Sequence, residues 1–389
     1  MKKALTIISL SLAIAGCNNP SQMSTEKNDA SLPLSADYQV GLHTQFKDNF
    51  MIGTALAATD ILSRDDSIRK LVAKEFNAVT AENVLKWEII HPKPNVYDFK
   101  APDRLVDFAE KNNIFLVGHA LVWHHQRPDW IFENNNGSTV SREVLLGRME
   151  EHINKVAGRY KNRIDAWDVV NEALEEDGSL RESAWFKIIG EDYIEQAFRM
   201  AEKAAPNAKL YYNDYNLFEP EKRDGAIKLI KNLQAKGVKI DGIGIQGHYG
   251  LYYPDLNQLE DSIKAFTELG IDIFISELDI TVLPLPGGRN QGADIALDIA
   301  LDKQSEDKMN PYPKELPAVI EAKLGKRYQE IFSVLNKYKD HISRVSLWGI
   351  SDAHTWRNDW PVKGRTDYPL FFDRNMNKKP FVSRLSPTE

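Results

Sequence analysis

Eight short apolar runs recur along this chain, and most gaps between them carry a longer amphipathic segment. The runs are Met51–Ala57, Ala78–Glu82, Ile114–Trp123, Ile164–Glu172, Lys209–Asn216, Gly242–Tyr249, Ile271–Ile280 and Arg344–Asp352. Runs apolar at nearly every position read as strands buried on both faces, which is the signature of a parallel sheet. The gaps hold helix-period patterns at Ile68–Phe76, Pro102–Lys111, Arg142–Tyr160, Tyr193–Ala204, Lys222–Lys236, Asp255–Leu269 and Lys323–Lys339. Strand-then-helix alternation repeated eight times closes into an α/β structure, the (β/α)8 TIM barrel. The alternative is an open doubly wound sheet, but no Gly-rich phosphate loop follows the first run.

The runs end in polar or aromatic residues. Glu82-Asn83 follow the second run, with Lys86-Trp87 close behind. His119 and Trp123 lie in the third run, before His124-His125. Asn171-Glu172 end the fourth, Asn213-Asp214-Tyr215 the fifth, and Gln246 and His248 lie in the sixth. Glu277 and Asp279 belong to the seventh, and Trp348 to the eighth, with His354 and Trp356 beyond it. A barrel gathers its strand tips at one mouth, so these residues converge on a polar cleft with aromatic walls. Hydroxyl-rich ligands suit such a cleft. The tips that matter most are Glu172 and Glu277, because two carboxylates flanking one bond are what glycoside hydrolysis requires.

Composition narrows the field. The chain has 389 residues, 42% hydrophobic and 27% charged, with a formal net charge of −7. No basic block is present, which argues against nucleic acid as the main partner. Beyond the N-terminal region no shift in composition marks a second domain.

Cys17 is the sole cysteine, so neither an internal disulfide framework nor a cysteine metal site is available. It follows Lys2-Lys3 and an apolar stretch from Ala4 to Ala15, the layout of an export signal too short to span a membrane comfortably. The run Leu12-Ala13-Ile14-Ala15-Gly16-Cys17 resembles a bacterial lipobox, which implies lipidation at Cys17 and an anchor that does not span the bilayer. The expected organisation is therefore a signal peptide over 1–17, a Ser- and Asn-rich flexible tether over 18–40, and one catalytic domain over 41–387. The expected location is the cell envelope, and Asn18 after the cysteine favours an outer membrane where one exists.

At its strand tips the chain resembles the family 10 glycoside hydrolases, the endo-β-1,4-xylanases. Trp167-Asp168-Val169-Val170-Asn171-Glu172 and Ile275-Ser276-Glu277-Leu278-Asp279 are similar to the family's two catalytic signatures. Gly53-Thr54-Ala55, Thr80–Trp87, Gly118–His124, Tyr212–Asn216, Gly244–His248 and Leu347–Asp352 resemble the family's other strands, from about Asp48 to about Phe381. The stretch Leu283–Pro313 departs from the pattern. It is long for a loop after a barrel strand and is expected to include a short helix beside the leaving-group side of the cleft.

The resemblance implies a retaining double displacement, with Glu172 as acid/base and Glu277 as nucleophile. The carboxyl groups should then lie about 5–5.5 Å apart, whereas about 9 Å would indicate inversion. His248 is the expected hydrogen-bond donor to Glu277, and Asp279 the group that orients His248. Asn171 is expected to bind the sugar 2-hydroxyl. Glu82, Asn83 and Lys86 are expected to grip the next sugar toward the non-reducing end, and His119 and Gln246 to contact the sugar at the cleavage point. Trp123, Trp348 and Trp356 are expected to wall the cleft, and Tyr215 to stack on a leaving-group sugar. Trp87, Trp167 and Trp185 are read as core. His119, His124 and His125 are not expected to hold a metal, and no cofactor is implied. The expected partner is xylan and its oligosaccharides, bound by a monomer. Two other readings stand beside this one: a barrel glycosidase acting on a different β-1,4 glycan such as glucan or mannan, and a surface glycan-binding protein without turnover.

Overall fold

The structure is a computed structural model that describes residues 40–285 and 308–386. The signal segment, Cys17, the tether up to residue 39 and most of the 283–313 stretch lie outside the described residues.

The strands are β1 (Met51–Leu56), β2 (Ala78–Ala81), β3 (Phe115–Val122), β4 (Ala166–Asn171), β5 (Lys209–Asp214), β6 (Gly242–Ile245), β7 (His248–Gly250), β8 (Asp272–Thr281) and β9 (Ile342–Leu347). All pairings are parallel: β1 to β6 pair in chain order, β6 and β7 each pair with β8, β8 pairs with β9, and β9 with β1. That closes an eight-stave (β/α)8 TIM barrel, because β6 and β7 are two pieces of one stave. The sequence alone suggests a single strand over 242–249. The break falls at Gln246-Gly247, where Gly247 has a φ of 83° that only glycine adopts at no steric cost. A Cβ there would sit 2.8 Å from Ile275 Cγ2. After the break β7 pairs with β8 in a register that sets His248 beside Asp279.

The long helices are Ser67–Glu75, Lys100–Asn112, Arg142–Arg159, Tyr193–Ala204, Pro220–Ala235, Leu256–Thr267 and Ala318–Lys337. Their starts follow local chemistry. Ser141 accepts from Val144 N, Asp255 accepts from Asn257 N and Gln258 N, and Pro220 occupies a first-turn position that needs no N–H donor. Each long helix buries one stripe; in Arg142–Arg159 it is Leu145, Met149, His152, Ile153, Val156 and Ala157. The main core lies between strands and helices. Inside the barrel, Val117, Ala166, Tyr211 and Phe274 fill a layer, with the Arg344 guanidinium 4.3 Å from the Phe274 ring centre. No described helix is long and apolar enough to cross a membrane. With both faces of the strands filled, the open strand ends are left to carry chemistry.

Candidate active site

Glu172 directly follows β4 and turns sharply. Its φ of 56° lies in the left-handed region, which costs a side-chain-bearing residue of order 1–3 kcal/mol. Two backbone contacts hold the turn. The Glu172 N–H donates to the Asn213 carbonyl at 2.9 Å, and its own carbonyl accepts from Arg181 Nε at 3.0 Å. The carboxylate is thereby delivered to two neutral donors. Trp123 Nε1 donates to Oε2 at 2.9 Å and Gln246 Nε2 donates to Oε1 at 2.9 Å.

Glu277 sits within β8, where the register against β9 shifts between Ile275 and Leu278. Its Oε1 accepts from Asn213 Nδ2 at 2.7 Å, and His248 Nε2 lies 3.3 Å from Oε2. On the far side of the imidazole, Nδ1 is 3.1 Å from Asp279 Oδ2. Asp279 in turn receives Arg357 Nε at 2.8 Å and Trp356 Nε1 at 2.7 Å. The result is a buried relay of alternating charge: guanidinium, carboxylate, imidazolium, carboxylate.

The electrostatics follow from that order. Burial works against a charge on His248, but Asp279 and Glu277 outweigh it and lift its pKa to about 9. Burial likewise disfavours an ionised Glu277. The His248 hydrogen bond and the surrounding positive charge overcome it, so Glu277 falls below the usual glutamate range. Asp279 is also lowered, burial being outweighed by Arg357 and His248.

The rest of the cleft assembles around this pair. Glu82, Asn83, Lys86, His119, Trp123, Asn171, Gln246, His248, Trp348 and Trp356 all line the same cavity as Glu172 and Glu277. Lys86 Nζ donates to Asn83 Oδ1 at 2.9 Å and to Gln126 Oε1 at 2.7 Å, and stands 4.9 Å from the Trp123 ring centre. Burial pulls the Lys86 pKa down, opposed by Glu277 and Glu82, and burial pushes Glu82 up. His119 Nδ1 lies 2.9 Å from Asp168 Oδ2, which fixes the ring. Trp167 and Trp185 are fully enclosed, and Trp87 nearly so, as core residues should be. Among the described residues no group of His, Cys, Asp and Glu is arranged to hold a metal ion.

Tyr215 does not join the wall. It is 2% exposed, its hydroxyl accepts from Arg181 Nη2 at 3.1 Å, and Lys222 Nζ stands 3.4 Å from its ring centre. A ring so enclosed has no face to offer a sugar, and the stacking role expected for it is corrected to a packing role. Conversely, Gln126 and Trp360 line the cavity without having been assigned to it, and so does His125, expected at the mouth but given no role there. Asn213, expected at the barrel mouth but given no role, and Arg357, not expected there, both reach the charged relay. Asn213 stands inside a quoted strand motif and Arg357 directly follows Trp356, which were the only signals available.

The arrangement offers one carboxylate held ionised by charged partners and a second held by neutral N–H donors, both facing one aromatic-walled cleft. The sequence model of Glycosyl hydrolase family 10 matches residues 41–386. An endo-1,4-beta-xylanase A of Xylanibacter ruminicola is 44% identical over 336 residues, covering 86% of this chain and 90% of that protein. A beta-1,4-xylanase of Dictyoglomus thermophilum is 43% identical over 336 residues, with 86% and 87% coverage. Among solved structures, a GH10 endoxylanase retrieved from a sugarcane soil metagenome superposes with a TM-score of 0.82 at 44% identity, covering 89% of this chain and 98% of that one. A mutant protein in complex with xylotriose gives 0.78 at 38% identity, with 90% and 100% coverage. A match that spans the barrel from its first helix to its last turn, at this identity, settles membership: this chain belongs to glycosyl hydrolase family 10.

Proposed function

We propose that the protein cleaves internal β-1,4-xylosidic bonds of xylan with retention of configuration, using Glu277 as nucleophile and Glu172 as acid/base. The observation that carries this reading is the unequal surroundings of the two carboxylates. Glu277 has an imidazolium and an amide N–H on its oxygens, as a group that must stay ionised requires. In the first step a Glu277 oxygen bonds to the anomeric carbon, while Glu172 gives its proton to the departing glycosidic oxygen. In the second, Glu172 takes a proton from water, the hydroxide oxygen bonds to the anomeric carbon, and the ester to Glu277 breaks. Once esterified, Glu277 carries no charge, so Glu172 acts as base without a second carboxylate charge beside it.

Asn171 is assigned to the sugar 2-hydroxyl, and Glu82, Asn83 and Lys86 to the neighbouring sugar. His119 and Gln246 attend the sugar being cleaved, and Trp123, Trp348 and Trp356 its faces. Xylan is favoured by the relatives' names, by the neighbour solved with xylotriose, and by crowding around Lys86, which lies between Trp123 at 4.9 Å and Trp348 at 5.9 Å. Xylose lacks the hydroxymethyl group that such a site would have to house. Export and lipid attachment at Cys17 belong to the same proposal and rest on the N-terminal sequence.

The test is a panel of unsubstituted xylan, β-glucan and mannan, run with the native protein and with Glu277→Gln. Xylo-oligosaccharides from xylan alone, abolished in the variant while xylo-oligosaccharide binding survives, are expected. Faster cleavage of glucan or mannan would overturn the substrate. Binding without turnover by the native protein would favour a glycan-binding protein instead.

A further inference from the structure

Arg181 touches neither carboxylate, yet it is wrapped around the turn that presents Glu172. It is nearly buried, and its guanidinium is spread over the chain just past β4. Nε donates to the Glu172 carbonyl at 3.0 Å, and Nη2 donates to the Leu174 carbonyl at 3.0 Å and to the Tyr215 hydroxyl at 3.1 Å. Nη1 lies 3.3 Å from Glu175 Oε2. Its own backbone N–H closes the hairpin by donating to the Ala173 carbonyl at 2.8 Å. From the other side, the Ala173 N–H donates to the Tyr212 hydroxyl at 3.2 Å, and that hydroxyl donates to Asp214. The peptide after Glu172 is thus held at its carbonyl by Arg181 and at its N–H by Tyr212.

These contacts matter because Glu172 occupies a left-handed conformation that a glutamate does not adopt by preference. Without a donor on its carbonyl, the turn would keep only the N–H contacts of Glu172 and Ala173 against relaxation toward an extended strand end. The carboxylate would then leave Trp123 and Gln246.

We propose that Arg181, seated on the Tyr215 hydroxyl, is a positioning residue for the acid/base: it locks the left-handed Glu172 turn and so aims the carboxyl at the departing oxygen. The proposal rests on the assignment of Glu172 as acid/base. It gives Tyr215 a task after its exclusion from the cleft wall. A planar fork suits the task, since two carbonyls, a hydroxyl and a carboxylate are reached in fixed directions, and lysine cannot reproduce that.

Leaving-group dependence supplies the test. An unsubstituted xylo-oligosaccharide needs proton donation when its bond breaks, whereas a dinitrophenyl β-xylobioside leaves without it. Misplacing an acid by about 1 Å can cost on the order of a hundredfold. Arg181→Lys is therefore expected to lower kcat/KM for xylopentaose by about tenfold to a hundredfold. The same variant should keep the dinitrophenyl substrate within about threefold, since that step does not draw on the acid. Tyr215→Phe, which keeps the ring and drops one acceptor, should show the same selectivity more weakly and stands in if Arg181→Lys does not fold. Active-site titration with a mechanism-based inhibitor corrects both for folded enzyme.

Parallel loss on the two substrates, or no loss on either, would overturn the positioning role. Glu172→Ala serves as the control. If it shows strong leaving-group selectivity and the Arg181 and Tyr215 variants show none, the positioning role fails while the acid/base assignment stands. If Glu172→Ala shows none, both fail.

Discussion

Glu172 and Glu277 are the same residue at two strand tips of one barrel, and their surroundings could hardly differ more. Around Glu277 one oxygen takes the neutral Asn213 carboxamide and the other faces a charged series: His248, then Asp279, then Arg357, each buried and each within about hydrogen-bond distance of the next. Around Glu172 the partners are neutral, an indole N–H and a carboxamide N–H, and what is specialised is the backbone turn. One side tunes charge through a chain of side chains. The other tunes geometry through a held main chain. Two carboxylates can divide acid and nucleophile roles when their environments differ in this way, and substitutions on the two sides should fail differently.

The largest expected effect is on the charged side. Glu277→Ala should lower kcat by at least about ten-thousandfold on every substrate, activated or not, because covalent catalysis is lost outright. Steady-state rates on xylan and on a dinitrophenyl glycoside check it, and selective loss on xylan alone would reverse the two roles. Next, Glu172→Ala should cost about a hundredfold to ten-thousandfold on xylan. For activated glycosides it should spare kcat/KM but lower kcat, since the second step has lost its base, with azide restoring turnover and giving a β-xylosyl azide. An α-azide from this variant would contradict the assignment.

Severing the relay should be felt in stability as well as rate. Asp279→Asn leaves the Arg357 guanidinium buried without its carboxylate, and removal of one partner from a buried pair costs about 3–5 kcal/mol. Denaturant unfolding measures it. His248→Asn should move the acid limb of kcat/KM to higher pH, because Glu277 loses the donor that holds it ionised. An unmoved limb would mean that His248 does not govern Glu277.

The smallest effect is a pH dependence of the intact protein. His248 is lifted above its unfolded value of 6.5 to about 9. The stability it contributes is complete below about 6.5 and is lost as pH rises through about 9. Glu277 and Asp279 are depressed, so their contribution is present above the ordinary carboxylate range and is lost as pH falls through their folded values. Unfolding midpoints should decline on both flanks, with the alkaline decline removed in His248→Asn.

The same contrast explains what could be read from sequence. The barrel was legible because apolar runs alternating with helical periods leave few alternatives. Both glutamates were legible because they end or interrupt such runs. His248 and Asp279 could be paired in advance from residue spacing and family likeness. Arg357 could not, since it lies in a single 3-10 turn (Trp356–Asn358) after β9, seventy-eight positions from the Asp279 it holds. The split of the sixth stave at Gly247 escaped because one left-handed glycine does not interrupt an apolar pattern. Tyr215 was misplaced for a related reason. An aromatic at a strand tip can face the cleft or the packing beneath it, and only the Arg181 and Lys222 contacts decide between them. Gln126 and Trp360 sit on loops, where no periodicity reports which way a side chain points.

The central claim is that Glu277 attacks the sugar and Glu172 handles the proton, which makes the reaction retaining. Proton NMR of the reducing ends released from unsubstituted xylan in the first minutes tests it most directly. The account predicts that β-anomer accumulates first and only later equilibrates with α by mutarotation. Initial release of α-anomer would mean a single inverting displacement, and Glu277 would not be the nucleophile.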